Sequence, residues 1–318
     1  MDAKENLLRV IRHDHPAWVP NGLEAVVTLY PPIDERPRGE GADPFGVHWA
    51  FVPEAEGGTF PSHGGRTVTD LGAWREQVAI PDIHSLDWSG VEAQARTVDR
   101  EHYLVQGFVH MGLFERSYLL LGMEEALVAY LTRPEEMRQL LAALATFKID
   151  LIKRFHEVAH LDMLHFGDDW CIQDRLFVAP EIWRQTIKPE MARLYGYLKQ
   201  QGIIINQHSC GRIEEILADL IEMGVDMWNP CQPCNDLARL KRAYGGKITF
   251  FGGIDSQFVL ARPGVTVDEV RAEVRRRIDE MAAGGGYIAA PSQGLPYDST
   301  VVAAMNDEIN RYGYHYYQ

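Results

Sequence analysis

A chain of 318 residues is long enough for one large α/β barrel or two ordinary domains. Its 46% hydrophobic and 24% charged residues describe a globular, water-soluble protein, and no apolar run approaches the roughly 18 residues of a membrane span. A formal net charge of −14 excludes an attractive field for nucleic acid or an anionic membrane, while leaving room for docking on a basic protein surface.

The opening Met1-Asp2-Ala3-Lys4-Glu5-Asn6 is polar and acidic where a signal peptide requires basic and apolar regions, so a cytoplasmic protein is expected. Its four cysteines, Cys171, Cys210, Cys231 and Cys234, are then read as free thiols rather than a disulfide framework.

Taken in order, residues 3–13 predict a short amphipathic helix with Leu7, Leu8 and Ile11 on one face. Residues 18–30 predict a strand with Glu24 in its interior. Residues 31–62 are rich in Pro, Gly and acids, broken by Phe45-Gly46-Val47-His48-Trp49-Ala50-Phe51. That pattern predicts a packed cap with a short strand or hairpin, the whole excursion reaching to about residue 100. Asp70 stands at an N-cap before Leu71-Gly72-Ala73-Trp74.

From about His102 a regular alternation sets in. Strands are predicted at 103–109, 163–166, 203–208, 225–228, 248–251 and 287–290. The helices between them are predicted at 113–121, 123–131, 134–160, 180–201, 212–223, 236–243 and 266–282, with a last one at 300–312. Alternation of this kind implies right-handed crossovers and a parallel sheet. About seven strands fit a distorted (β/α)8 barrel of the TIM type better than an open sheet, with an N-terminal cap and one domain spanning 1–318. Neither G-x-G-x-x-G nor a Walker motif is present to support a nucleotide-binding sheet.

Successive strands end in polar clusters: Gln106 and His110, Asp168 and Asp169, His208 and Cys210, Asn229 and Gln232, Asp255, Gln293. In a barrel these ends converge on the face where enzymes carry their active sites. In Ile203-Ile204-Ile205-Asn206-Gln207-His208-Ser209-Cys210-Gly211, His208 and Cys210 lie two positions apart on a strand end and point to the same side, and Gly211 permits the bend.

An imidazole and a thiolate at that spacing are two of the roughly three ligands a catalytic zinc needs. The third is open among Glu115, Asp168, Cys231, Cys234 and Gln293. Asp168-Asp169 offers a general acid or base, or a polar grip on substrate, against the plain alternative of a helix-capping Asp beside a solvated one. Asn229, Gln232 and Gln293 can orient a substrate but not move protons at neutral pH. Phe45, Trp49 and Phe51 could close over an aromatic ligand, with core packing as the more ordinary use. No G-x-S-x-G marks a serine nucleophile.

Several of these segments together resemble the uroporphyrinogen decarboxylase-like superfamily: Lys4-Glu5-Asn6-Leu7-Leu8-Arg9-Val10-Ile11, Gly167-Asp168-Asp169, His208-Ser209-Cys210-Gly211, Asn229-Pro230-Cys231-Gln232-Pro233, Phe251-Gly252-Gly253-Ile254-Asp255 and Gly286-Tyr287-Ile288-Ala289-Ala290-Pro291-Ser292. The resemblance implies a distorted (β/α)8 barrel. The superfamily's decarboxylases clamp substrate carboxylates with an arginine-rich segment of the form R-Q-A-G-R-Y, where this chain has Asn21-Gly22-Leu23-Glu24-Ala25.

The H-x-C pair is instead similar to the corrinoid-linked methyltransferases, in which His and Cys bind zinc. In the thiol-methylating members another cysteine arrives near the last strand, and here that region reads Ser292-Gln293-Gly294. The departure favours a different methyl donor, such as a methoxylated aromatic. The resemblance thus implies methyl transfer from a small O- or N-methylated compound to the cobalt of a corrinoid on a partner protein, an O-demethylation for a methoxyaromatic.

On this reading His208 and Cys210 hold zinc, and Asp168 is a third ligand or proton donor. Glu115, Asp169, Asn229, Gln232 and Gln293 hold substrate. A homodimer is admitted, the oligomeric state being open. The runner-up is a decarboxylase acting on a tetrapyrrole or other carboxylate, with Asp168 or Asp255 stabilising a cation. A non-catalytic ligand-binding barrel is the third reading.

Overall fold

The computed structural model of the protein describes residues 1–52, 58–62 and 64–318. Among these, ten strands form two sheets. Seven are parallel: β1 (Val26–Leu29), then, after the cap strands β2 (Gly41–Ala42), β3 (His48–Val52) and β4 (Gly58–Pro61), β5 (Leu104–Val109), β6 (Met163–Gly167), β7 (Ile204–His208), β8 (Met227–Asn229), β9 (Thr249–Ile254) and β10 (Tyr287–Pro291). The large sheet runs β1-β5-β6-β7-β8-β9-β10 with every pairing parallel.

The ring is closed by the chain just ahead of β1. Gly22 donates its N–H to the Ala289 carbonyl at 2.8 Å, and Ala289 donates to the Pro20 carbonyl at 3.0 Å. The strand expected over 18–30 is therefore broken in two: its first part touches β10 and its second pairs with β5. Gly22 at φ +60 makes the break, and Glu24 turns away to accept from the Trp18 indole at 2.9 Å. This is a distorted (β/α)8 barrel of the TIM type, as the alternation predicts.

Period-two alternation sorts the strand residues. Val105, Phe166, Ile205, Trp228 and Phe250 belong to the main core, where the outer helices cover the strands. Leu104, Met163, Met227 and Ile288 belong to a separate cluster with Leu7, Val10 and Ile11. The helix Ala3–Arg12 thus plugs the lower mouth of the barrel, its Asp2 cap accepting from the Glu5 N–H at 2.8 Å. One layer higher the interior turns polar, with Gln106 and Asn206 buried there.

Three predicted helices are modified. The stretch 180–201 divides into Pro180–Thr186 and Lys188–Gln200, because Pro189 has no N–H to give and its ring excludes a continuous turn. The stretch 212–223 is helical only over Leu217–Glu222, since side chains hold residues 211–214 in a turn. The last helix, Ser299–Glu308, loosens into a π turn at Ile309–Gly313.

The cap holds a three-stranded antiparallel sheet, β2-β3-β4, and, within the stretch expected as an excursion, a helix Ser89–Thr97. Residues 53–57 and 63 of the predicted excursion lie outside the described residues. Phe45 and Trp49 are core residues rather than ligand walls, whereas Phe51 is exposed. Phe45 meets Phe147 edge-on at 5.1 Å and Trp88 meets Phe155 at 5.8 Å, both on the long helix Pro134–Ala159.

A buried ion cluster ties the cap down. Arg116 donates to Asp43 at 2.5 Å and Glu35 at 3.0 Å, and Lys148 donates to Glu35 at 2.5 Å and to the His110 carbonyl at 2.9 Å. Each buried charge is paired, the condition under which burial is tolerated.

Candidate metal centre at the barrel mouth

The site is built on the end of β7. The strand presents His208 to the interior, and Ser209 donates its N–H to the Asn229 carbonyl at 2.9 Å. The chain then turns at Gly211, φ +80. A Cβ there would lie 2.5 Å from the Ile172 carbonyl and 2.7 Å from Cys171 Cβ, so only glycine fits. Gln232 accepts the Gly211 N–H at 2.6 Å. Asn235 accepts from Ile213 at 3.0 Å and donates to the Gly211 and Gln232 carbonyls, both at 2.9 Å. Gln232, expected to hold substrate, thus spends its carbonyl on fixing the turn that carries Cys210.

The end of β6 supplies the acids, and the adjacent pair divides sharply. Asp168 is fully buried and engages both oxygens. It accepts from the Phe114 N–H at 3.0 Å and the Glu115 N–H at 2.9 Å, at the positive end of helix Leu113–Leu121, and from the Trp170 indole at 2.9 Å. Gly112 is required beside it, because an added Cβ would collide with the Asp168 side chain. The expected third ligand or proton donor is therefore a capping carboxylate. Burial pushes its carboxyl up to about 6, against the three donors that favour the anion.

Asp169 faces the other way. Its Oδ1 accepts the Cys210 N–H at 2.7 Å and lies 3.7 Å from His208 Nε2. Cys210 Sγ lies 3.5 Å from the same Nε2. Asp169, His208 and Cys210 form a group whose potential ligand atoms all lie within 4.8 Å of one another.

Around a tetrahedral zinc with bonds of about 2.0–2.3 Å, neighbouring ligand atoms lie roughly 3.3–3.8 Å apart. The observed 3.5 and 3.7 Å fit that size. An imidazole, a thiol and a carboxylate are also a donor set that zinc accepts, and three protein ligands leave the fourth position open. Burial and the Asp169 carboxylate push the Cys210 thiol well up, a direction a bound cation would reverse.

Of the third ligands expected from sequence, Glu115, Asp168, Cys231 and Cys234 do not join this group among the described residues. Glu115 lies on the neighbouring helix turn, and burial with Asp169 and Asp168 nearby raises its carboxyl well above the usual range. Cys231 is buried with Sγ on the Trp228 carbonyl at 3.1 Å. Cys234 and Gln293 line a cavity of about 350 Å³ above Cys210, with Asp255, Gln232 and Phe258. Asp255 also caps the turn at 256–260, accepting from Phe258 N–H at 2.9 Å, so its carboxylate is partly committed.

Asn229 Oδ1 lies 2.6 Å from His208 Nδ1 and so orients the imidazole rather than reaching the cavity. Two further residues of the interior were not read from sequence. His165 stacks on Phe108 at 4.2 Å and stands 5.4 Å from the His208 ring, and Asn206 lies beneath it. Asn206 shares a strand face with His208 two places on, which period two alone could have shown.

A family model described as Uroporphyrinogen decarboxylase (URO-D) matches residues 86–312. Two curated relatives, each a Methylcobamide:CoM methyltransferase MtaA, come from Methanosarcina barkeri and its Fusaro strain. They are 26% and 25% identical over 153 residues, 47% of this chain and 42% of each relative. The match therefore spans less than half the length of the curated relatives. A solved methyltransferase from Methanosarcina mazei superposes with a TM-score of 0.71 at 16% identity, over 97% of this chain and 98% of its own, a likeness of fold.

Proposed function

The chain belongs to the uroporphyrinogen decarboxylase family, and from that premise we propose that it is a corrinoid-linked methyltransferase. It would move a methyl group between a small O- or N-methylated compound and the cobalt of a corrinoid carried by a separate protein. The observation that carries this reading is the Asp169–His208–Cys210 group at the barrel mouth, whose Cys210 lines the cavity. The similarity to the two methyltransferases supports it.

Asp169, His208 and Cys210 would hold zinc, which when bound supplies a Lewis acid to the heteroatom that loses or gains the methyl group. The chain's own residues do the rest. Asn229 holds His208 with Nε2 toward the group. Gln232 and Asn235 hold the turn that places Cys210. A heteroatom that gives up its methyl keeps the bonding pair and needs a proton. Glu115, whose carboxyl is raised by burial beside Asp169 and Asp168, is assigned to supply it. Gln293 and Asp255 line the cavity and are assigned to orient the donor.

The acids around the site disfavour an anionic donor. The aromatic row Tyr30, Phe108 and His165, with rings 5.3 and 4.2 Å apart, favours a methoxyaromatic. A second reading runs the other way, from a methylated corrinoid to a thiol, and is favoured by the activity that names the two relatives.

Methylcobalamin formation from a panel of methoxyaromatics and methylamines, with a corrinoid as acceptor, tests the direction. The proposal expects turnover that falls at least 100-fold in Cys210→Ala. Demethylation of methylcobalamin by a thiol, with no activity on the panel, would select the second reading. Carbon dioxide release from a tetrapyrrole without methyl transfer would overturn both.

A further inference from the structure

Beneath the metal group the barrel interior holds a file of carboxamides where TIM barrels ordinarily pack branched apolar side chains. Gln106, Asn206 and Asn229 are buried, and each is hydrogen-bonded to the next. The file begins at the His208 ring and ends at the Thr28 hydroxyl.

Its direction is set at one point. The Asn229 amide nitrogen donates to the Gln207 backbone carbonyl at 3.3 Å, and a carbonyl can only accept. That fixes which end of the Asn229 amide is nitrogen. Its oxygen must then face His208 Nδ1, 2.6 Å away, and an amide oxygen only accepts. In the neutral ring His208 Nδ1 therefore carries the hydrogen, and the Nε2 lone pair faces Asp169 and Cys210.

The same polarity runs down the file. Asn229 donates to Asn206 Oδ1 at 2.6 Å, Asn206 donates to Gln106 Oε1 at 3.0 Å, and Gln106 donates to Thr28 Oγ1 at 3.1 Å. Turning Asn206 over would set nitrogen against nitrogen at Asn229 and oxygen against oxygen at Gln106 in a dry interior, so the middle of the file holds its two neighbours to one polarity.

We propose that Asn229, Asn206, Gln106 and Thr28 form a positioning relay across β8, β7, β5 and β1, which holds His208 as the Nδ1–H tautomer with Nε2 free to ligate. This deepens the reading of the site as a metal centre and rests on it. The relay also explains why the middle layer of the barrel is polar. Outer-shell partners of metal-bound histidines are worth about 10- to 100-fold in metal affinity, and here the last of them sits on β1, three strands from β7 in the sheet order.

The test labels the histidines with ¹⁵N and reads the His208 ring by NMR in metal-free protein at pH 8, with His208→Ala giving the assignment. The expected signature is a protonated Nδ1 and an unprotonated Nε2. An unprotonated Nδ1 in the otherwise unaltered protein would overturn the relay, and that measurement needs no relay variant to fold.

Asn206→Leu, which does not touch the imidazole, is expected to mix the tautomers and weaken zinc binding about 10- to 100-fold in competition with a chromophoric chelator. Thr28→Ser, which keeps the terminal oxygen, is expected to leave both unchanged. Weaker zinc binding in Asn206→Leu with the Nδ1–H tautomer intact would also overturn the relay. Protein that binds no zinc yet shows the Nδ1–H signature would sink the metal reading while leaving the relay standing.

Discussion

Two neighbouring aspartates show how position rather than residue type assigns chemistry. Asp168 spends both oxygens on the N-terminus of helix Leu113–Leu121 and on Trp170, while Asp169 turns toward His208 and Cys210. The sequence places both at the end of one strand, but which of them faces the mouth depends on a turn that no local pattern specifies.

His110, at the end of β5, has a measurable consequence. Burial and the Lys148 ammonium push its imidazole from 6.5 down to about 4, so the folded state holds it neutral. The unfolded chain binds a proton there first as pH falls. The stability contributed by a neutral His110 is therefore present above pH 6.5 and is lost progressively toward pH 4. It amounts to about 2 kcal/mol once the exposed part of the ring is discounted. Melting temperature measured from pH 8 to pH 4 should fall through that window, and His110→Gln should flatten this part of the fall. A variant with the unaltered slope would rule His110 out as its source.

At the scale of elements, the β/α order from His102 onward was legible because apolar runs of period two alternate with helical ones, and the parallel order follows from the crossovers. What was not legible lies where side chains compete with helical backbone. Residues 212–216 have helical composition, yet Asn235 and Glu214 hold the start of that stretch in a turn, and the helix begins only at Leu217. Asn235 is a partner 22 residues from Ile213 in sequence, beyond the reach of any local rule.

The same turn places Cys210, which makes Asn235 testable. Asn235→Ala removes three hydrogen bonds from a buried loop and should cost about 1–3 kcal/mol in urea unfolding. It should also weaken metal binding, although no atom of Asn235 belongs to the metal group. Unchanged stability would show that the turn holds itself.

For the molecule as a whole, the barrel closes by bonds between residues 20–22 and β10, and its lower mouth is plugged by the first helix. The cap is held by Arg116 and Lys148 against Glu35 and Asp43. None of these long-range pairings has a signature in the linear sequence. The location of the site did have one, because six strand ends in succession carry polar clusters and a barrel gathers such ends on one face.

Among the described residues no helix is long and apolar enough to cross a membrane, and the one group of three metal-capable side chains is Asp169, His208 and Cys210. The central claim is that this trio is a catalytic zinc site, with Asp169 in place of a further cysteine. Zinc content per chain, measured on purified Asp169→Ala beside the unaltered protein, tests it most directly. The account predicts about one zinc per chain in the unaltered protein, a loss of at least half in the variant, and methyl transfer falling with it. Full zinc occupancy in Asp169→Ala, or none in the unaltered protein while methyl transfer proceeds, would contradict it.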